Sequence, residues 1–176
     1  MPTADSTPVT QPTAGQPAGP LALRAAMEAR DLAAATAAFA PDAVLHSPLT
    51  DGLTFTGRDQ IAVITEVILE VFGDFRYTGE LRTGDTAVLL GRARVGGQDL
   101  ETAEHLRLGP DGTITEATVF FRPLPAATAA MHLIAARLGR RKSPARGALM
   151  SVLTSPLAAI TRSSDGAGVR MVRSTL

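Results

Sequence analysis

The stretch LETAEHLRLGPDGTITEATVFFR, residues 100–122, decides the fold. It reads as two strands, 100–108 and 113–121, joined by Gly109-Pro110-Asp111-Gly112. Proline pre-sets the first turn residue, and the closing glycine accepts a positive φ. Side chains alternate across a strand, so Leu100, Thr102, Glu104, Leu106 and Leu108 share one face. Glu101, Ala103, His105 and Arg107 share the other. A single carboxylate, Glu104, thus sits in the middle of a mostly apolar face. A three-residue loop with a bulge would set Glu104 opposite Thr118; a four-residue loop would set it opposite Ala117. The second is preferred, because it gathers Leu100, Leu106, Ala117, Val119 and Phe121 on one face. It also sets His105 opposite Glu116 on the reverse face, as a cross-strand ion pair.

Working outward, residues 86–95 read as a strand that turns through Gly96-Gly97 into this hairpin, and 75–82 as the strand before it. A helix over 60–72 presents Ile61, Ile64, Val67, Ile68 and Val71 on one side. A short strand, 43–47, ends at Pro48. Residues 21–39 are helical, with a break at Ala29-Arg30-Asp31-Leu32 where Asp31 caps a second short helix. Residues 1–20, rich in Pro, Thr, Ala and Gly, lack the apolar side chains that offset chain entropy and are expected to be disordered. After residue 123 comes a helical extension, 124–162. Its helices lie over 126–138 and 147–161, a basic linker 137–146 joins them, and Pro156 is expected to kink the second. Residues 163–176 have little to bury and read as a flexible tail.

Composition limits the function classes. Lysine plus arginine and aspartate plus glutamate number 17 each, so no global field recruits nucleic acid. One Tyr, six Phe and no Trp leave few platforms for stacking bases. The absence of cysteine removes disulfide and thiol chemistry. No apolar run reaches ~18 residues, so no spanning helix is expected. The start of the chain lacks the apolar core of a signal peptide, and a cytoplasmic location is expected. No histidine or carboxylate cluster has metal-ligand spacing, and no glycine-rich loop links a strand to a helix as a phosphate cradle would. Neither a metal nor a cofactor is therefore expected.

Three motifs carry a resemblance. Phe39-Ala40-Pro41-Asp42-Ala43 marks a helix–strand junction, Thr56-Gly57-Arg58-Asp59-Gln60-Ile61 a helix entry, and Asp111-Gly112-Thr113-Ile114 the hairpin. Together with the element order, over residues 21–123, they resemble the NTF2-like superfamily and within it the SnoaL-like group of actinobacterial proteins. The resemblance implies an α+β fold: a cone formed by a curved antiparallel sheet and N-terminal helices. It also implies pairing into a homodimer through the outer face of the sheet, where Ala103, His105, Thr118 and Phe120 lie. The group includes polyketide cyclases, and ketosteroid isomerase and limonene epoxide hydrolase share the fold. Glu104 falls where ketosteroid isomerase keeps a protonated carboxylic acid. That enzyme's general-base Asp falls at Ser47 and its oxyanion-hole Tyr at Leu23, while the only tyrosine, Tyr77, lies elsewhere in the chain. The acid that limonene epoxide hydrolase places on its last strand falls at Val119. Neither mechanism carries over whole.

Glu104 is the leading catalytic candidate, because burial among apolar side chains raises a carboxyl pKa into the range of a general acid. The competing reading is a structural carboxylate neutralised by Arg92 or Arg94 of the preceding strand. His46, at the end of the first strand, is a candidate base. Strict alternation places it outside and Ser47 toward the interior. Ser47, Phe55, Arg92, Thr102, Leu106, Ala117, Val119 and Phe121 are the expected lining of a pocket for a small apolar molecule. The expected function is isomerase- or cyclase-type chemistry on a carbonyl-bearing substrate; the alternative is a non-catalytic ligand-binding or dimeric scaffold protein. The C-terminal extension is expected to lie over the pocket mouth as a lid rather than on a membrane surface.

Overall fold

A computed structural model describes residues 19–173. Residues 1–18, and with them most of the segment expected to be disordered, lie outside the described range. The chain begins with helices α1 (Pro20–Ala29) and α2 (Leu32–Ala37), then strands β1 (Phe39–His46) and β2 (Thr54–Thr56). Helix α3 (Gly57–Val71) leads into β3 (Gly73–Thr83), β4 (Thr86–Val95), β5 (Gln98–Leu108) and β6 (Ile114–Arg122). Helices α4 (Leu124–Lys142) and α5 (Pro144–Arg173) follow. The strands form one open sheet in the order β2-β1-β6-β5-β4-β3, antiparallel except where β1 runs parallel to β6.

Local chemistry sets several boundaries. Arg30, at φ 58°, closes α1, and the Asp31 side chain accepts a hydrogen bond from the Ala34 amide at 3.0 Å to open α2, as the sequence predicts. The first strand starts at Phe39, four residues before its expected start. Phe39 pairs with Ile114 across a shift in register and drives its ring into the core, which outweighs the turn character of Pro41-Asp42.

The central hairpin is offset from its expected register. Glu104 faces Val119, not Ala117, and Leu106 faces Ala117. Two steps cause it: the turn is one residue longer than expected, so Leu108 faces Ile114 and not Thr113, and Thr115 is an extra residue in β6, because Arg107 pairs with Glu116. The offset from expectation is two residues, which preserves parity, so Leu100, Leu106, Ala117, Val119 and Phe121 still share a face. The expected His105–Glu116 pair is not formed. His105 faces Thr118, and Glu116 instead meets His46 at 3.1 Å and Arg107 at 3.8 Å.

The inner face of the sheet packs on two apolar clusters. One joins Leu23 and Met27 of α1, Phe39 and Leu45 of β1, Ile61 of α3, Leu89, Leu106 and Ile114. The other joins Ile64 and Val67 of α3, Phe72, Val95, Leu100 and the α4 residues Ala126, Ala130 and Ile134. Phe55, Ile68 and Phe75 are only partly buried and touch both clusters. Helix α4 thus completes the second cluster and belongs to the domain's core.

The extension departs from expectation in three ways. Of the segment expected as a basic linker, 137–142 is the end of α4 and 144–146 the start of α5; Arg141 pairs with Glu66 at 2.7 Å and Arg137 with Glu70 at 3.3 Å, both acids on α3. Pro156 sits inside an unbroken α5. Proline removes the donor to the Val152 carbonyl, and the Ser155 hydroxyl donates to that oxygen at 3.4 Å instead. Helix α5 packs on α4 rather than over the sheet, and it continues to Arg173 through much of the expected tail.

Candidate functional site

β5 carries Glu104 on the inner face, between Leu89 of β4 and Val119 of β6. Its carboxyl accepts from the Tyr77 hydroxyl at both oxygens, 3.0 Å and 3.1 Å. Tyr77 reaches across β4 from β3, and the space for its ring comes from Gly91. A Cβ built there would stand 2.7 Å from Thr102 Oγ1 and 3.4 Å from Tyr77 Cδ1. Phe75 packs edge-on against the tyrosine ring at 4.9 Å and 87°. The Tyr77 amide, at a register shift in β3, donates to Glu28 of α1 at 2.8 Å. Strand, bulge and helix together fix where the hydroxyl points.

Electrostatics follow from this enclosure. Burial pushes the Glu104 carboxyl from its ordinary 4.5 up to about 7, and the Tyr77 hydrogen bond opposes the rise. Burial, followed by the nearby Glu104 charge, holds Tyr77 well above its ordinary 10. Tyr77 therefore stays a donor at any physiological pH, while Glu104 exchanges its proton near neutrality. Glu104 lies deep in the molecule yet is only half-buried, as are Val119, Phe121 and Phe55. Some of the surface of each borders open space instead of packed atoms.

The remaining sequence candidates divide by face. Leu106 and Ala117 are fully packed in the core. Thr102 is buried, and its hydroxyl is the one buried side-chain polar atom without a partner among the described residues. Arg92 lies on the outer face, 3.4 Å from Glu101, which also meets Arg122 at 3.0 Å. Arg94 lies beside Asp99. No arginine among the described residues pairs with Glu104, so the reading of it as a neutralised structural carboxylate lacks its partner. His46 points to the outer face and Glu116, as strict alternation requires, and so is separated from Glu104 by the sheet. Ser47 accepts from the Leu49 amide at 3.2 Å and organises the turn after β1.

Sequence reasoning set Tyr77 aside. The signal was present, because Phe75 and Tyr77 share a parity in β3 and a mid-strand glycine, Gly91, marks a close approach.

An open α+β sheet closed on one face by helices, with a carboxyl on that face, defines the NTF2-like class. Within it, the profile of the SnoaL-like domain matches residues 21–117, and the chain belongs to that family. A steroid delta-isomerase from Pseudomonas aeruginosa is 30% identical, with a TM-score of 0.63 over 68% of this chain and 88% of its own. An uncharacterized protein with a cystatin-like fold from Silicibacter pomeroyi is 25% identical, with a TM-score of 0.63 over 67% of this chain and 83% of its own. A hypothetical protein with a ketosteroid isomerase-like fold from Catenulispora acidiphila, solved with trimethylamine, shares the fold at 21% identity. Its TM-score is 0.51 over 64% of this chain and 92% of that one. No curated protein matches the chain.

Proposed function

We propose that the chain is an isomerase- or cyclase-type enzyme that moves a proton on a small, apolar, carbonyl-bearing substrate, with Glu104 as the proton carrier. The observation that carries this is the Glu104–Tyr77 pair: a carboxyl set by burial to titrate at about 7, held by a hydroxyl that does not ionise. As a carboxylate, Glu104 accepts a proton from the carbon beside the substrate carbonyl, and the electron pair passes to the carbonyl oxygen as an enolate. As the acid, it returns that proton to a different carbon of the conjugated system. One group serves both steps because its pKa lies close to the working pH. Val119, Phe121 and Phe55, half-buried on the same face, would receive the apolar body of the substrate. The similarity to a steroid delta-isomerase supports the reaction class. Ser47 in place of that fold's general-base Asp argues for a different substrate or a different proton path.

Deuterium exchange beside the carbonyl of a panel of apolar ketones tests the proposal. Exchange should follow a pH profile that turns near 7, and Glu104→Gln should slow it ~10²-fold or more in a folded protein. Equal rates in the two proteins would overturn the proton-carrier role. A second reading, a non-catalytic ligand carrier, is favoured by one observation: Tyr77 is the only polar group bonded to Glu104 among the described residues, so no separate base accompanies it. A ligand that co-purifies in native mass spectrometry without any catalysed exchange would establish that reading. The proposal includes a homodimer through the outer face, where Leu90, Ala103 and Phe120 border a groove of about 340 Å³.

A further inference from the structure

The net charge of zero conceals a segregation. Residues 124–176 carry eight arginines and lysines against one acid, Asp165, a net +7. Residues 1–123 carry nine against sixteen, a net −7. The two helices of the extension therefore form a strongly basic arm on an acidic domain.

Helix α5 packs on α4 in an inverted sense. A helix on a soluble domain ordinarily buries its large apolar residues. In α5 the face turned to α4 holds Gly147, Ser151, Thr154, Ala158 and Thr161, which are small or polar. Gly147 sits so close to α4 that a Cβ there would be 3.0 Å from the Arg140 amide nitrogen. Thr154 bonds His132 at 2.8 Å, and Thr161 bonds Thr128 at 2.6 Å. The large aliphatic residues face outward: Leu149, Val152 and Leu153 are 56%, 68% and 65% exposed, and Leu157 is 46% exposed. Small residues and hydroxyls in the seam with aliphatics outside is the arrangement helices adopt where the surroundings are lipid. No charged residue occurs between Arg146 and Arg162, and Arg140, Lys142 and Arg146 stand exposed at the elbow of the two helices. No helix among the described residues is long and apolar enough to cross a membrane.

We infer that the outer face of α5, with the basic elbow beside it, docks the protein on the surface of an anionic lipid bilayer. The aliphatic stripe would lie at the level of the headgroups and upper acyl chains, and Arg140, Lys142 and Arg146 would meet lipid phosphates. Charge complementarity selects this occupant. A second copy docked through the same face would bring two arms of net +7 together. Residues 1–18 offer only Met1 and Val9 as large aliphatic cover.

Co-sedimentation of the full chain with phosphatidylcholine vesicles, with and without phosphatidylglycerol, tests the inference. Binding should be at least ~10-fold stronger with the anionic lipid and should weaken as salt rises. The pairs Val152→Ser with Leu153→Ser, and Arg140→Glu with Lys142→Glu, should each reduce it by a similar factor. Because these side chains are exposed, the melting curves should not move. Failure to bind either vesicle overturns the inference, as does equal binding to both. A dimer that Val152→Ser with Leu153→Ser dissociates, without vesicle binding, would assign the face to a second copy. Retention of nucleic acid without vesicle binding would assign the elbow to that ligand instead.

Discussion

A carboxyl with a raised pKa makes stability depend on pH in a defined direction. Below pH 4.5 Glu104 is protonated in both the folded and the unfolded chain and contributes no difference. Between 4.5 and about 7 the unfolded chain releases this proton while the folded one keeps it, so stability falls as pH rises. Above about 7 the loss is complete and constant. The shift sets an upper limit of ~3 kcal/mol on it. Urea denaturation should therefore show Glu104→Gln matching the parent near pH 4 and exceeding it at pH 8, by an amount within that limit. A Gln variant that is several kcal/mol less stable at pH 8 would instead reveal a broken ion pair. Tyr77→Phe removes the one hydrogen bond that lowers the carboxyl's pKa, so the Glu104 carboxyl carbon resonance should titrate above 7 in that variant. An unchanged midpoint would mean that the hydroxyl does not govern the acid.

At the scale of elements, strands β3, β4 and β5 act as one device, with Gly91 as its clearance. Adding a methyl there forces Thr102 Oγ1 or the Tyr77 ring to move. Gly91→Ala should lower stability by about 1–3 kcal/mol. Thr102→Ala alone should be nearly neutral, because the hydroxyl it removes is buried without a partner. Combining the two should recover part of the Gly91→Ala loss, and the non-additivity in a double-mutant cycle measures the clash directly. A Gly91→Ala protein as stable as the parent would mean that Tyr77 is not held by this close approach. The same three strands show the limits of local reading. Parity within each strand was legible, so Glu104 facing inward and His46 facing outward could be read from alternation alone. The pairing of Tyr77 with Glu104 could not, because it depends on a bulge in β3 and a missing side chain in β4.

For the whole molecule, the sheet presents two faces with different work. The inner one holds the carboxyl and both apolar clusters. The outer one carries paired charges around Phe120, which is 56% exposed. If the outer face joins two copies, light scattering at micromolar concentration should give twice the chain mass, and Phe120→Glu should give a monomer that keeps its melting temperature. A parent protein of monomer mass would refute the dimer. The arm formed by α4 and α5 is of two kinds: Ala126, Ala130 and Ile134 of α4 belong to the core, while α5 stands on α4 with its aliphatic side in water. The expectation of a lid treated both helices alike and therefore misplaced the second.

The sequence alone determined what adjacent residues control. Asp31 caps because its own side chain reaches an amide three residues on. The hairpin turns because proline and glycine restrict or free their own φ. Each strand shows its inward side through alternation. The tertiary structure decided what depends on distance in space. One more residue in the turn and one extra residue at Thr115 together slid β6 along β5, and only the packed sheet shows it. A hydroxyl 27 residues from Glu104 became its partner because β4 brought the two strands together. The α5 stripe looked like a buried face by its periodicity. It lies outward because small side chains let α5 approach α4 more closely than leucine would.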